Sequence, residues 1–289
     1  MTYHMKNISF LALVVVVVLA SCTEDVKLDL DQQTPSIVID GQVTNRAALQ
    51  RVKLSRTVDF YQGGQTPRIT NGTVLVEDDA GNSYPFVHNP RNHKDSVGYY
   101  KPLTPFAGVV GRTYRLTVQV DGRTFTAEDR MFSVLTLDSL KDRKANQHQD
   151  DEADDPKEPG KIYELQMWAR EPQDEDNYYL FKFYRNDSLK YYDDTDVYVS
   201  DDDLLAENID GITSPVYYAI GDHARVEGYS LTRRAYVYYT DLQSILNNDG
   251  GGMFGPIPAS PRTNIEGGAL GIFQVSSVSD IARVVSDED

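Results

Sequence analysis

The first residue pattern that could support chemistry ends at Cys22, the only cysteine in the chain. It follows Leu19, Ala20 and Ser21, an aliphatic residue and then two small ones. This matches the bacterial lipobox, in which the thiol carries diacylglycerol, the chain is cleaved between Ser21 and Cys22, and the new amine is acylated. We therefore predict a lipidated Cys22 that binds outer-membrane lipid. An ordinary signal with a chance cysteine is the alternative.

The residues before Cys22 are typical of a secretory signal peptide. Lys6 gives a positive start, and an apolar run follows over residues 10–19. A membrane-spanning helix needs about twenty apolar residues, and this run is much shorter. Acidic residues over 23–25 resemble the surface-export signal of Bacteroidota lipoproteins, or are simply part of an acidic tether.

No pattern for catalysis or for a cofactor is present among the five histidines and their neighbours. The sequence lacks the HExxH motif of zinc proteases and the GxSxG elbow of hydrolases. His88 and His93 occur in a loop with Pro and Asn, which favours exposed polar residues over a metal pair. We predict no catalytic residue, no metal site and no cofactor, with a hydrolase of unrecognised site as the alternative.

Acidic runs could supply oxygen ligands for calcium over residues 193–196 and 201–203. Neither run has the spacing of an EF-hand, with its central glycine and terminal glutamate. We therefore predict solvated acidic loops and keep a calcium site as the alternative.

Tyrosines are concentrated in the second half of the chain, where thirteen of the nineteen follow residue 160. Tyrosine combines apolar area with a polar tip and suits binding surfaces. Tyrosines in strands can equally fill a core, which we expect for Tyr179. The residues that we predict for ligand binding lie in less regular stretches: Tyr191, Tyr192, Tyr217, Tyr218 and Tyr229.

The charge balance narrows the classes of partner. The chain carries 28 Lys and Arg against 44 Asp and Glu, a formal net charge of −16. Nucleic acid is excluded as a partner because phosphate binding needs a basic surface. A single cysteine also excludes a disulfide framework.

The elements that must position these residues are mainly strands. The clearest is a hairpin over residues 113–127, with Leu116 and Val118 on its apolar face and a turn at Asp121-Gly122. Both turn positions tolerate positive φ. This turn pairs Val118 with Phe125, so that the apolar faces of both strands coincide.

Short strands also recur elsewhere, and a long helical pattern is missing. Residues 36–40, 51–55, 73–77, 177–184, 235–239 and 268–275 are predicted strands, and residues 240–246 a short helix. We predict a mainly β protein that comprises a signal peptide (1–21), a tether (22–35), an immunoglobulin-like β-sandwich (36–137), an acidic linker or loop (138–160) and a second β-rich domain with at most one or two short helices (161–289).

Blocks spread over most of the mature chain resemble one Bacteroidota lipoprotein family, described as a domain of unknown function (four-two-four-nine). They are residues 35–41, 52–57, 111–114, 176–179, and 264–265 followed by 269–273. The resemblance implies a surface lipoprotein that is encoded beside a TonB-dependent receptor, and it brings no catalytic residues. We therefore predict a non-enzymatic accessory of such a receptor in nutrient capture or uptake at the cell surface. A free-standing adhesin or glycan-binding lipoprotein is the alternative.

Overall fold

The computed structural model describes residues 35–58, 66–145, 158, 160–173, 176–201, 208–247 and 260–287. These residues form strands, one α-helix and two short 3₁₀ turns. In chain order, the strands and the helix are β1 (Ile37–Thr44), β2 (Arg51–Arg56), β3 (Thr73–Asp78), β4 (Ser83–His88), β5 (Tyr99–Pro102), β6 (Thr113–Val120), β7 (Arg123–Arg130), β8 (Thr136–Lys144), β9 (Tyr163–Arg170), β10 (Tyr178–Arg185), β11 (Ser188–Lys190), β12 (Val199–Asp201), β13 (Asn208–Thr213), β14 (His223–Leu231), α1 (Arg233–Leu246), β15 (Ile265–Glu266), β16 (Leu270–Ser276) and β17 (Val278–Val284).

The largest sheet has nine strands in the order β15-β7-β6-β3-β4-β5-β2-β1-β16. Neighbouring strands within this sheet pair antiparallel, except for β1 and β16. These two strands are parallel, and Val38 lies opposite Leu270. The predicted mainly β fold class is confirmed. Two strands that lie within the predicted second domain, β15 and β16, belong to the same sheet as the strands of residues 37–130.

The predicted hairpin is confirmed in its register and in its turn. Val118 lies opposite Phe125 and Leu116 opposite Ala127 in the pair of β6 and β7. Asp121 and Gly122 both have positive φ, +52° and +74°. Local alternation and a two-residue turn are sufficient to fix this register, because a slip by one residue would expose the apolar face.

The nine-stranded sheet encloses a single core on one face. Asn264, just before β15, hydrogen-bonds both backbone groups of Phe273 in β16, at 2.7 and 3.0 Å. The two ends of the sheet are therefore joined, and the sheet folds over on itself. Fully buried side chains of this core include Ile39, Val52, Leu54, Val76, Leu116, Val118, Phe125, Phe273 and Val275.

Two glycines permit the close approach of β1 and β16. The ring of Phe273 lies against Gly41, where an added Cβ would be 2.8 Å from a ring carbon. Gly271 has φ +102°, and an added Cβ would be 2.1 Å from the backbone oxygen of Ile39. Only glycine tolerates both this conformation and this contact.

The remaining strands form two smaller sheets around a second core. One has the order β11-β10-β14-β17, with β12 also paired to β10, and the other has the order β13-β9-β8. Residues 138–144, the start of the predicted acidic linker, are part of β8. Side chains of the second core include Leu135, Leu165, Tyr179, Phe183, Tyr218 and Val226.

The prediction of a strand over residues 235–239 is wrong, because these residues belong to α1. The Thr232 hydroxyl caps the helix by accepting from the Ala235 N–H at 3.3 Å. Tyr236 and Tyr239 then pack against a third apolar cluster formed with Leu180. Helical spacing and a cap outweigh the β propensity of this aromatic run.

Two buried aspartates, Asp129 and Asp78, accept hydrogen bonds from residues of other segments of the fold. Asp129 in β7 accepts from the Thr232 hydroxyl at 2.6 Å and from the Val275 N–H at 2.8 Å. Burial raises the pKa of Asp129 to about 7, although these hydrogen bonds oppose the effect. Burial acts in the same direction on Asp78, but hydrogen bonds from Asn82, Arg112 and Tyr84 prevail and lower its pKa to about 2.

Candidate functional site

A cleft of about 880 Å³ lies beside β2 and β5. Three basic side chains line it: Arg51, Arg91 and Lys101. Tyr99 and Asp95 are also in the lining. We call the site formed by these five residues the cationic cleft. Sequence reasoning did not predict it.

Strand alternation places the cationic cleft on the outer face of the nine-stranded sheet. Val52 lies opposite Tyr100 and Lys53 opposite Tyr99 in the pair of β2 and β5. Val52 and Tyr100 point into the core and are buried. Arg51, Lys53, Tyr99 and Lys101 therefore point outwards, since successive side chains in a strand alternate between faces.

The loop that carries Arg91 has a defined conformation. Asn89 and Asn92 adopt positive φ, +39° and +49°. The Asn89 side chain donates to the His93 carbonyl oxygen at 2.9 Å and accepts from the His93 N–H at 3.0 Å. The Gly98 N–H donates to His88 Nε2 at 3.0 Å and ties the loop to β4. These bonds fix the loop that places Arg91 in the lining of the cleft.

Arg51 lines the cleft and lies beside Asp40 of β1. Its guanidinium is 3.6 Å from the Asp40 carboxylate, while its buried Nε has no hydrogen-bond partner among the described residues. Burial lowers the pKa of Arg51, but Asp40 and the nearby hydroxyls of Tyr239 and Tyr99 prevail and raise it. Arg51 therefore stays charged with one donor unused.

Burial and the positive charge of Arg51 both lower the pKa of two nearby lysines, Lys101 and Lys182. Burial lowers the pKa of Lys101, and Arg51 and Arg91 lower it further. Burial also lowers the pKa of Lys182 to about 8, with Arg51 adding to the effect. The Lys182 ammonium lies 4.2 Å from the centroid of the Tyr229 ring. Positive charge is thus concentrated around Arg51.

A histidine, an aspartate and a serine meet in this loop without forming a catalytic triad. His93 Nδ1 accepts from the Asp95 N–H at 3.3 Å, and the Ser96 N–H donates to the His93 carbonyl oxygen. A triad needs the same nitrogen to donate to the carboxylate. The grouping is therefore a capped turn.

The family comparison spans the whole site. The sequence profile of the family described as "Domain of unknown function (DUF4249)" matches residues 23–282. The chain belongs to the DUF4249 family. A search among curated proteins found no significant match. The matched region of this DUF4249 protein includes all five residues of the cationic cleft.

The DUF4249 structure buries three of the five tyrosines predicted to bind ligand, Tyr218 and Tyr229 almost completely and Tyr217 to 8% exposure. Tyr218 is fully buried in the second core, and Tyr229 in β14 is 2% exposed. Both side chains are packed by neighbouring strands, so they offer no surface to a ligand. This corrects the prediction for Tyr218 and Tyr229, for which core packing was the better interpretation.

Tyr191, Tyr192 and Tyr217 lie near one another. Tyr191 is 42% exposed, and the rings of Tyr192 and Tyr217 are 6.3 Å apart between centroids. They surround a depression of only about 40 Å³ that is also lined by Arg185 and Lys190. Tyr217 is itself mostly buried. A binding role for these tyrosines stays a prediction.

The acidic runs bond to neighbouring chain groups. Asp196 accepts from the Asp193 N–H at 2.8 Å and from the Tyr198 hydroxyl at 2.9 Å. Asp201 accepts from the Tyr236 hydroxyl at 3.1 Å. Within the described ranges, no group of three or more His, Cys, Asp or Glu side chains is placed to hold a metal ion.

The predicted lipidation and cleavage residues, Ser21 and Cys22, lie outside the described residues. Lipidation of Cys22 therefore stays a prediction. Within the part of the chain that the structure describes, no helix has the length and apolar character needed to cross a membrane.

Proposed function

We propose that this protein is a non-enzymatic accessory of a TonB-dependent receptor, anchored to outer-membrane lipid through Cys22 and facing the cell surface. In this role it captures a nutrient in the cationic cleft for uptake by the receptor. The observation that carries the proposal is the cleft itself. Its volume of about 880 Å³ falls in the range of small-ligand sites, about 300–1,000 Å³.

The location and the partner have separate support. The lipobox that ends at Cys22 supports the anchor, and the acidic residues 23–25 support surface exposure. Membership of the DUF4249 family, together with the resemblance to Bacteroidota lipoproteins encoded beside TonB-dependent receptors, supports the receptor as partner.

A pull-down tests the receptor association. The tagged, lipidated protein is isolated from its own cells in mild detergent, and copurifying proteins are identified by mass spectrometry. We expect a TonB-dependent receptor in stoichiometric amount, and we expect deletion of the protein to lower uptake through that receptor. Recovery of the lipoprotein alone, with unchanged uptake in the deletion strain, would contradict the proposal.

Replacing the lipidated cysteine tests the anchor. We expect Cys22→Ala to abolish incorporation of labelled palmitate and to release the protein from the membrane fraction, because an uncleaved or unlipidated chain lacks the stable hold of several acyl chains. Palmitate labelling and membrane fractionation measure both effects. Ser21→Ala, which keeps a small residue before the cysteine, is the matched control and should be labelled normally. Equal labelling of both variants would refute lipidation at Cys22.

A free-standing glycan-binding lipoprotein is the second candidate, favoured by the exposed ring of Tyr191 beside Lys190. Full-length protein on a glycan array tests it, since β15 and β16 join the nine-stranded sheet and residues 161–289 are not a separate folding unit. Loss of array binding in a Tyr191→Ala variant, with binding kept in Leu189→Ala, would favour this role over the accessory role.

A further inference from the structure

We propose that the cationic cleft binds a small polyanion, an organic molecule with at least two acidic oxygen groups, through Arg51, Lys101 and Arg91. This inference deepens the proposed function, on which it rests for the choice of site, because it names the chemical class of the captured ligand.

The cleft brings three basic side chains together in an acidic chain. With a net charge of −16, acidic groups are in excess, and most arginines of the described part have a carboxylate partner. By contrast, Arg91 and Lys101 make no ion pair with any described residue. The paired arginines are Arg46, Arg51, Arg56, Arg112, Arg115, Arg143, Arg170, Arg185, Arg225, Arg262 and Arg283.

Unpaired cations that lie close together are unfavourable without a counter-charge. The lowered pKa of Lys101 reports burial and the repulsion of Arg51 and Arg91. Asp95 is the only acidic side chain among the described lining residues, and it is exposed and 3.7 Å from His93 Nδ1. A bound anion would offset this repulsion by its opposite charge.

Arg51 supplies a donor suited to an oxyanion. Asp40 is 3.6 Å from its terminal nitrogen, which leaves the buried Nε without a partner among described groups. A buried donor without a partner costs about 1–3 kcal/mol. The planar guanidinium presents paired donors that match carboxylate and phosphate oxygens. An acidic group bound beside Arg51 would satisfy this donor.

The spread of the three cations indicates more than one acidic group on the ligand. Arg51 begins β2, Lys101 is on the paired strand β5, and Arg91 is on the loop between β4 and β5. A single carboxylate pairs with one or two of them, whereas a polyanion neutralises all three. The ring of Tyr99 and the neighbouring prolines offer apolar contact to the carbon frame of such a molecule.

Calorimetric titration of the full lipidated chain in mild detergent tests the proposal. The probes are citrate, inorganic pyrophosphate and, as a neutral compound, maltose. We expect citrate or pyrophosphate to bind and maltose not to bind. Binding should weaken when salt is raised from about 50 to about 300 mM, because ions screen exposed charges. Tighter binding of citrate would assign carboxylate groups to the ligand, and tighter binding of pyrophosphate would assign phosphate groups.

Variants distinguish the effect of the cleft residues on binding from the effect of overall charge. We expect Arg51→Gln with Lys101→Gln to weaken binding at least about tenfold, equal to about 1.4 kcal/mol. Arg115→Gln with Arg170→Gln changes net charge equally at exposed ion pairs outside the cleft and should leave binding unchanged. Arg91 is exposed, so we expect Arg91→Gln to leave folding unchanged and to weaken binding several-fold.

Two results would overturn the inference: no binding of either anion at low salt, or equal binding by the wild type, Arg91→Gln and the double cleft variant. The receptor pull-down reports on the accessory role independently. A copurifying receptor without anion binding would refute only the ligand class. Anion binding without a receptor would keep the cleft site and refute the accessory role.

Discussion

Gly271→Ala is expected to destabilise the protein by about 3 kcal/mol or more. The new Cβ would be 2.1 Å from the oxygen and 2.9 Å from the carbonyl carbon of Ile39, which are backbone atoms of the paired strand β1. Gly271 also has φ +102°, a region that other residues avoid at a cost of about 1–3 kcal/mol. Relief therefore requires β1 and β16 to separate, which disrupts their parallel pairing.

Urea unfolding followed by tyrosine and tryptophan fluorescence measures this loss. Gly221→Ala is the matched control, because Gly221 has φ +86° with no atom within 4 Å of an added Cβ. The control carries the conformational cost alone. If both variants lose the same free energy of unfolding, the contact with Ile39 adds no cost to a side chain at residue 271. The close approach of β1 and β16 would then be refuted.

The second large effect is a dependence of stability on pH through Asp129. Its folded pKa is about 7, above the ordinary value of 3.8. Between these values the folded protein holds a proton that the unfolded chain has lost. The free energy of unfolding therefore falls as pH rises, by up to about 1.4 kcal/mol per unit. The contribution is complete below pH about 4 and is lost above pH about 7.

Asp129→Asn is expected to remove this slope. The amide cannot titrate, and it loses an acceptor for the Val275 N–H, so the variant has a constant loss at all pH values. Urea unfolding of both proteins from pH 4 to 8 should show the wild type losing stability relative to the variant. Arg234 is the nearby charged group that favours the ionised form and reduces the effect. Parallel curves for the two proteins would refute the assignment to Asp129.

Asp78 changes the free energy of unfolding only at lower pH, so it does not affect this measurement. Its pKa of about 2 lies below the ordinary value, so its stabilising contribution is present above pH about 4 and is lost as pH falls towards 2. A window above pH 4 therefore separates the effect of Asp129 from that of Asp78.

Local patterns were predictable from the sequence, whereas long-range pairing was not. The hairpin of β6 and β7 follows from alternation and from the turn at Asp121-Gly122. The parallel pairing of β1 and β16 joins residues at opposite ends of the described chain, and no local signal specifies that partner. Tyr236 in α1 shows the converse, since a local β propensity was overridden by packing on the third apolar cluster.

The cationic cleft could not be predicted from the sequence either, because long-range pairing brings its residues together. Alternation in β2 predicts that Arg51 points away from the core, but its neighbours depend on non-local pairing. Lys101 lies beside it only because β5 pairs with β2, and Arg91 only because of the loop over residues 89–98. Burial of Tyr218 and Tyr229 likewise depends on sheets that the sequence pattern does not assemble.

The parallel pair of β1 and β16 also sets the order in which the protein can mature. The first strand of the described chain finds this partner only after residue 276 has been synthesised, so the nine-stranded sheet cannot be completed on a growing chain. Pairing between such distant segments is slow, since a long loop must close before the contacts form. A product truncated before Leu270 would leave β1 with an open edge, which marks incomplete chains for aggregation or proteolysis.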